Sequence, residues 1–145
     1  MRRSFHSVLS LVALVALATV LPRTAVAQAD SPLLDAQADS AVAMFRAQGF
    51  SLAQQSRGAL AASASRDVTL EIPTGKTGIV VAVCDANCSD IDLEVFKGSQ
   101  SVGSDFEPDD VPIVILENQT GEIRVKVSMA TCQGNCGYRL MLFVN

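Results

Sequence analysis

The chain has no tryptophan, a single tyrosine (Tyr138) and a single histidine (His6). With no tryptophan and only one tyrosine there is little from which to build a stacking platform for sugars. His6 falls in a segment that reads as removed on export, so Ser-His, Cys-His and zinc-His chemistry is excluded from the mature chain. A long hydrophobic run is also missing. The most apolar stretch, residues 8–21, is fourteen residues, short of the roughly 18 that a spanning helix needs. Basic residues are scarce: beyond residue 27 the chain carries 8 Lys and Arg against 15 Asp and Glu, a net charge of −7. That sign disfavours nucleic acid and anionic lipid as partners. Gly75-Lys76-Thr77 ends like a phosphate-binding loop, but Leu70 stands where that motif requires a glycine, so a hairpin turn is expected instead.

What is present begins with an export signal. Arg2 and Arg3 form a positive start, residues 8–21 the apolar centre, and Ala25-Val26-Ala27 the small-x-small pattern of a cleavage site, placing cleavage before Gln28. The expected destination is the periplasm or the medium, with no membrane attachment after cleavage. About 118 residues remain, enough for one domain with one core. Cys84, Cys88, Cys132 and Cys136 form two C-x3-C pairs. In an oxidising compartment two disulfides are expected, because a four-thiolate zinc site favours C-x2-C spacing and competes with oxidation.

Three segments follow from the pattern: a signal peptide over 1–27, a helix and linker over 28–55, and a β-sandwich over 56–145. Ser31 as N-cap and Pro32 at the first helical position open a helix whose stripe is Leu34, Ala38, Ala41 and Phe45, and Gly49 closes it. This amphipathic helix is expected to pack on the domain rather than to dock a partner. The period then changes to two, predicting strands near 56–60, 67–72, 78–83, 91–96, 101–104, 112–116, 122–129 and 138–144. If consecutive strands run antiparallel, the loops 84–90, 105–111 and 130–137 share one end and carry all four cysteines. Each pair can close locally or across loops. Local closure is favoured, because partners so near in sequence can join before the sandwich forms.

The same loops gather carboxylates: residues 85–122 hold ten acids against the single Lys97. Calcium takes six to eight oxygen ligands. The candidate metal set is Asp85, Asp90, Asp92, Asp105 and Asp109, weighed against the plainer reading that these aspartates cap turns through backbone N–H groups. No dense ligand spacing supports a hand-type loop.

The stretch Cys84-Asp85-Ala86-Asn87-Cys88-Ser89-Asp90-Ile91-Asp92-Leu93, followed by Gly121-Glu122-Ile123-Arg124-Val125 and Cys136-Gly137-Tyr138, resembles the bacterial pre-peptidase C-terminal domain over about residues 56–145. The resemblance implies a jelly-roll-like sandwich and a non-catalytic accessory role beside secreted proteases. No peptidase precedes the module here, so a role in protease maturation does not carry over. The expectation is thus an all-β, antiparallel jelly-roll-like β-sandwich preceded by one short amphipathic helix. Functionally it is an exported, non-catalytic module for a protein or cell-surface partner. The alternatives are a calcium-stabilised structural module and a small hydrolase using a Ser-Lys or carboxylate pair.

Overall fold

The computed structural model describes residues 31–145; the expected signal peptide over 1–27, with His6 and the expected cleavage before Gln28, lies outside them. One helix, α1 (Pro32–Ala47), precedes eight strands: β1 (Ser51–Ala61), β2 (Ser65–Ile72), β3 (Gly78–Cys84), β4 (Cys88–Lys97), β5 (Gln100–Asp105), β6 (Ile113–Leu116), β7 (Gly121–Cys132) and β8 (Asn135–Val144). All eight expected strands are present. Residues 51–55, expected to be linker, are instead the start of β1, where Ser51 and Leu52 pair with Val144 and Phe143. Their polar, weakly alternating side chains hide a strand whose backbone is claimed by β8.

The strands pair antiparallel as β1 with β8, β2 with β7, β3 with β6 and β4 with β5, and this ribbon folds over where β3 meets β8 and β4 meets β7. The result is two four-stranded sheets, β1-β8-β3-β6 and β2-β7-β4-β5, the order of a jelly roll. Only β4 and β5 form a hairpin of consecutive neighbours. The turn at Gly75-Lys76-Thr77 is therefore a crossing between sheets, not the expected hairpin, because β2 bonds to β7 while β3 bonds to β8 and β6.

Burial explains the sequence pattern. Facing residues of the two sheets, among them Val80, Leu93, Val125 and Leu140, form the inter-sheet core. β7 is buried on that side alone, so Ile123, Val125 and Val127 alternate with polar residues. β3 is buried at every position, because α1 covers its outer face: Leu34, Ala38, Ala41 and Phe45 pack on Ile79, Val81, Val83, Met141 and Phe143. The helix thus packs on the domain by its expected stripe. Ser31 occupies the cap position with extended backbone, but its side chain makes no capping bond; its carbonyl accepts from the Asp35 N–H at 3.0 Å. Among the described residues no helix is long and apolar enough to cross a membrane.

Candidate functional site

The loop end was expected to gather four cysteines and five aspartates, and the geometry divides them. Cys84 bonds to Cys88, and Cys132 to Cys136, each across four positions of sequence. Local closure is what forms. Each bridge joins strands of different sheets, β3 to β4 and β7 to β8, and Cys88 stands opposite Cys132 in the β4–β7 register. The two disulfides therefore tie the two layers together side by side.

Asp85 completes that tie. It is 4% exposed, its Oδ2 accepts from the Gly137 N–H at 2.6 Å and its Oδ1 from the Asn87 N–H at 3.0 Å. The Asp85 N–H donates in turn to the Gly137 carbonyl at 3.0 Å. One carboxylate thus holds the β3–β4 turn against the start of β8. Asp105 behaves similarly, with Oδ1 accepting from the Glu107 N–H at 3.1 Å and Oδ2 from the Ile113 N–H at 2.8 Å, and Asp109 Oδ1 accepts from the Val111 N–H at 2.8 Å. These aspartates cap turns, the plainer of the two readings.

Asp90 and Asp92 project from β4 on the partly exposed face, where Asp90 Oδ1 is buried with no hydrogen-bond partner. Burial pushes the Asp92 carboxyl above the usual carboxylate range, and repulsion from Asp90 and then Asp105 pushes the same way. Asp92 thus feels both Asp90 and Asp105, while Asp85, Asp105 and Asp109 spend their oxygens on backbone N–H groups. Among the described residues no three carboxylates, thiols or imidazoles converge closely enough to hold a metal ion. The five-aspartate calcium set is not assembled, for a physical reason: Asp85, Asp105 and Asp109 direct oxygens at backbone N–H groups, those of Asp105 and Asp109 in their own loop and those of Asp85 at Asn87 and at Gly137 of β8.

Two features escaped sequence reading. Lys97, the single base of the acidic stretch, donates from Nζ to the carbonyls of Thr120 and of Glu122, the latter at 2.9 Å, and so fastens the β6–β7 turn. No periodicity signals a side chain that reaches 25 positions along the chain. The second is a groove of about 410 Å³ between α1, β3 and the loop before β6, lined by Leu33, Ala41 and Met44 on the helix and by Val83 and Val111 below. Gln37 on its wall donates from Nε2 to Asp110 Oδ2 at 3.3 Å, linking the groove to the acidic loop. Only Leu33 and Met44 hinted at it, as apolar residues off the helix stripe.

No family model matches the chain, and a search of curated proteins finds no match. The reading of function therefore rests on the residues themselves.

Proposed function

We propose that the chain is an exported, non-catalytic interaction module of the bacterial envelope or secretome, presenting a rigid acidic end to a protein or cell-surface partner. The observation that carries this reading is the double tie at one end of the sandwich. Two disulfides and the buried Asp85 carboxylate fix the β3–β4 and β7–β8 turns, beside which Asp90 and Asp92 project from β4, and the Ile91 N–H donates to the Asp109 carbonyl at 3.0 Å to hold the 106–112 loop at the same end. A surface already ordered before binding loses little conformational entropy on association, which favours recognition. Oxidised cysteine pairs suit a chain that matures outside the cytosol, in keeping with the leader-like start. The likeness to pre-peptidase C-terminal domains supports an accessory role, and the jelly-roll strand order fits it.

The test has two readouts. The full chain expressed in a bacterium should be recovered from the periplasm or medium, beginning at Gln28 and lacking free thiols by mass. Photo-crosslinkers placed at exposed positions on the acidic end and around the sheet edges should then yield one discrete adduct with an envelope or secreted protein. An unprocessed cytoplasmic chain with reactive thiols, or a surface that crosslinks to nothing, would overturn the proposal.

A further inference from the structure

The sandwich has four edge strands, and three are blunted. β1 carries Gln54, Gln55 and Arg57, β2 carries Arg66, Asp67 and Glu71, and β5 ends on Asp105. Gln54 Oε1 also accepts from the Glu71 N–H at 2.8 Å, where β1 and β2 lie close. β6 differs. It reads Ile113-Val114-Ile115-Leu116 with no polar side chain, and among the described residues it pairs with β3 alone. Though short at four residues, an apolar, uncharged edge presents a template for another strand.

The direction of its backbone follows from the ladder. The Ala82 N–H donates to the Pro112 carbonyl at 3.2 Å, and Val80 stands opposite Val114. Antiparallel alternation therefore turns Val114 and Leu116 toward β3, and the N–H and C=O of Ile113 and Ile115 away from it. Asp105 already caps the Ile113 N–H. The side chains agree: Val114 and Leu116 are buried in the inter-sheet core, while Ile115 is 60% exposed on the face that α1 covers further in. The groove lies between α1 and the loop that leads into β6, with Leu33 and Met44 of α1 on one wall, 47% and 45% exposed, and Val111 among its other lining residues. Its floor is Val83 of β3, and Val111, two residues before β6, is its lining residue nearest that strand in sequence.

Charge selects the occupant. From residue 98 to residue 123 the chain has no Lys or Arg, and β6 is bracketed by Asp109 and Asp110 before it and Glu117 after it. A second copy pairing edge to edge would bring the Asp110 end of each β6 toward the Glu117 end of the other, acid against acid. An extended segment with basic flanks meets the opposite situation.

We propose that β6 and the α1 groove form a strand-addition site for an extended peptide segment of a partner protein. Its apolar residues fall at every second position, and Lys or Arg residues flank it. The segment extends the β1-β8-β3-β6 sheet by one strand, bonding to the outward N–H and C=O of Ile115. Its apolar side chains stand beside Ile113 and Ile115 and run on past Val111 toward the groove. Its basic ends meet Asp110 and Glu117. This inference rests on the interaction-module reading and assigns that module's partner class and contact.

The probe is a fluorescein-labelled heptapeptide of alternating threonine and valine with a lysine at each end, and its twin with glutamate at each end. Anisotropy should show the lysine form binding roughly tenfold or more tightly than the glutamate form, with the preference shrinking in high salt. The Ile115 amide should become protected from hydrogen exchange on binding. Ile115→Lys, at an exposed position and checked by thermal melt, should abolish binding, and Met44→Ser on the opposite wall should weaken it. Equal affinity for both peptides, no binding, or amide changes confined to other strands would overturn the proposal. So would a dimer that Ile115→Lys disperses, since the occupant would then be a second copy. In the crosslinking experiment, an adduct that persists in Ile115→Lys would overturn the strand-addition site while leaving the interaction module standing. Loss of every adduct, wild type included, would instead remove the module reading.

Discussion

At the scale of single residues, the acidic character of the loop end separates into structural and free carboxylates. Asp85 is structural: its two oxygens satisfy two backbone N–H groups, one of them buried. Asp85→Ala should cost about 3 kcal/mol, because a charge-assisted bond is lost and a buried donor is left unpaired. A thermal melt should fall by roughly 10 °C, and an unchanged melt would show that water replaces the carboxylate freely. Asp92 carries strain of another kind. Its carboxyl is raised by burial and by repulsion from Asp90 and Asp105, so the folded chain holds its proton more tightly than the unfolded chain does. The resulting stabilisation is full below the ordinary carboxylate pKa and is lost as pH rises through the raised value. Asp92→Asn removes the charge that folding disfavours. It should therefore raise the melting temperature at neutral pH, with the gain vanishing in strong acid; a gain independent of pH would point to packing instead. Gly58 stands opposite Tyr138 in the β1–β8 register, and a Cβ there would lie 2.6 Å from the phenol oxygen. Gly58→Ala should destabilise by about 1–3 kcal/mol through overpacking, read as a lower urea midpoint with unchanged slope.

At the scale of elements, α1 is stabilised less by its own sequence than by what it covers. Its C-terminal end is firmly closed: the Gly49 N–H donates to the Arg46 carbonyl and the Phe50 N–H to the Phe45 carbonyl, both at 3.0 Å. Gly49 takes φ +88°, which a side chain would resist. Phe50 then meets Phe45 edge-on with ring centroids 6.4 Å apart, while Phe45 lies 4.7 Å from the Phe143 ring of β8. Asp35 on the first turn pairs with the buried Arg139 of β8. Phe45→Ala should cost about 3–5 kcal/mol by leaving a cavity over the sheet. Amide exchange should then rise first in α1 and the outer residues of β3 and β8. Equal loosening of both sheets would contradict a separate outer core. The elements also show where periodicity could be read. In β7 one face meets solvent, so alternation is plain; in β3 both faces are covered, so Gly78–Cys84 reads as an apolar run that periodicity alone leaves ambiguous.

At the scale of the whole molecule, the two sheets are held by their shared core and by the two bridges at one end. Replacing either cysteine pair with alanines should cost about 2 kcal/mol by the loop-entropy relation for so short a loop. A larger loss would mean that the bridges also stabilise the turns in the native state, and the melt of the reduced protein distinguishes the two. The sequence by itself determined the strands, the helix stripe, the acidity and the nearness of the four cysteines. Those depend on side-chain period and on short spacings, which are local. Even the common end of the loops was legible, because a jelly roll keeps successive strands alternating in direction whether or not they are neighbours. Only the tertiary structure decided which strands pair, that residues 51–55 belong to β1, that Asp85, Asp105 and Asp109 turn toward backbone N–H groups, and that β6 is left as the bare apolar edge beside α1. Each of these depends on contacts between residues far apart in the chain. The energy of such contacts is set by packing and by competition for hydrogen bonds, which no local pattern records.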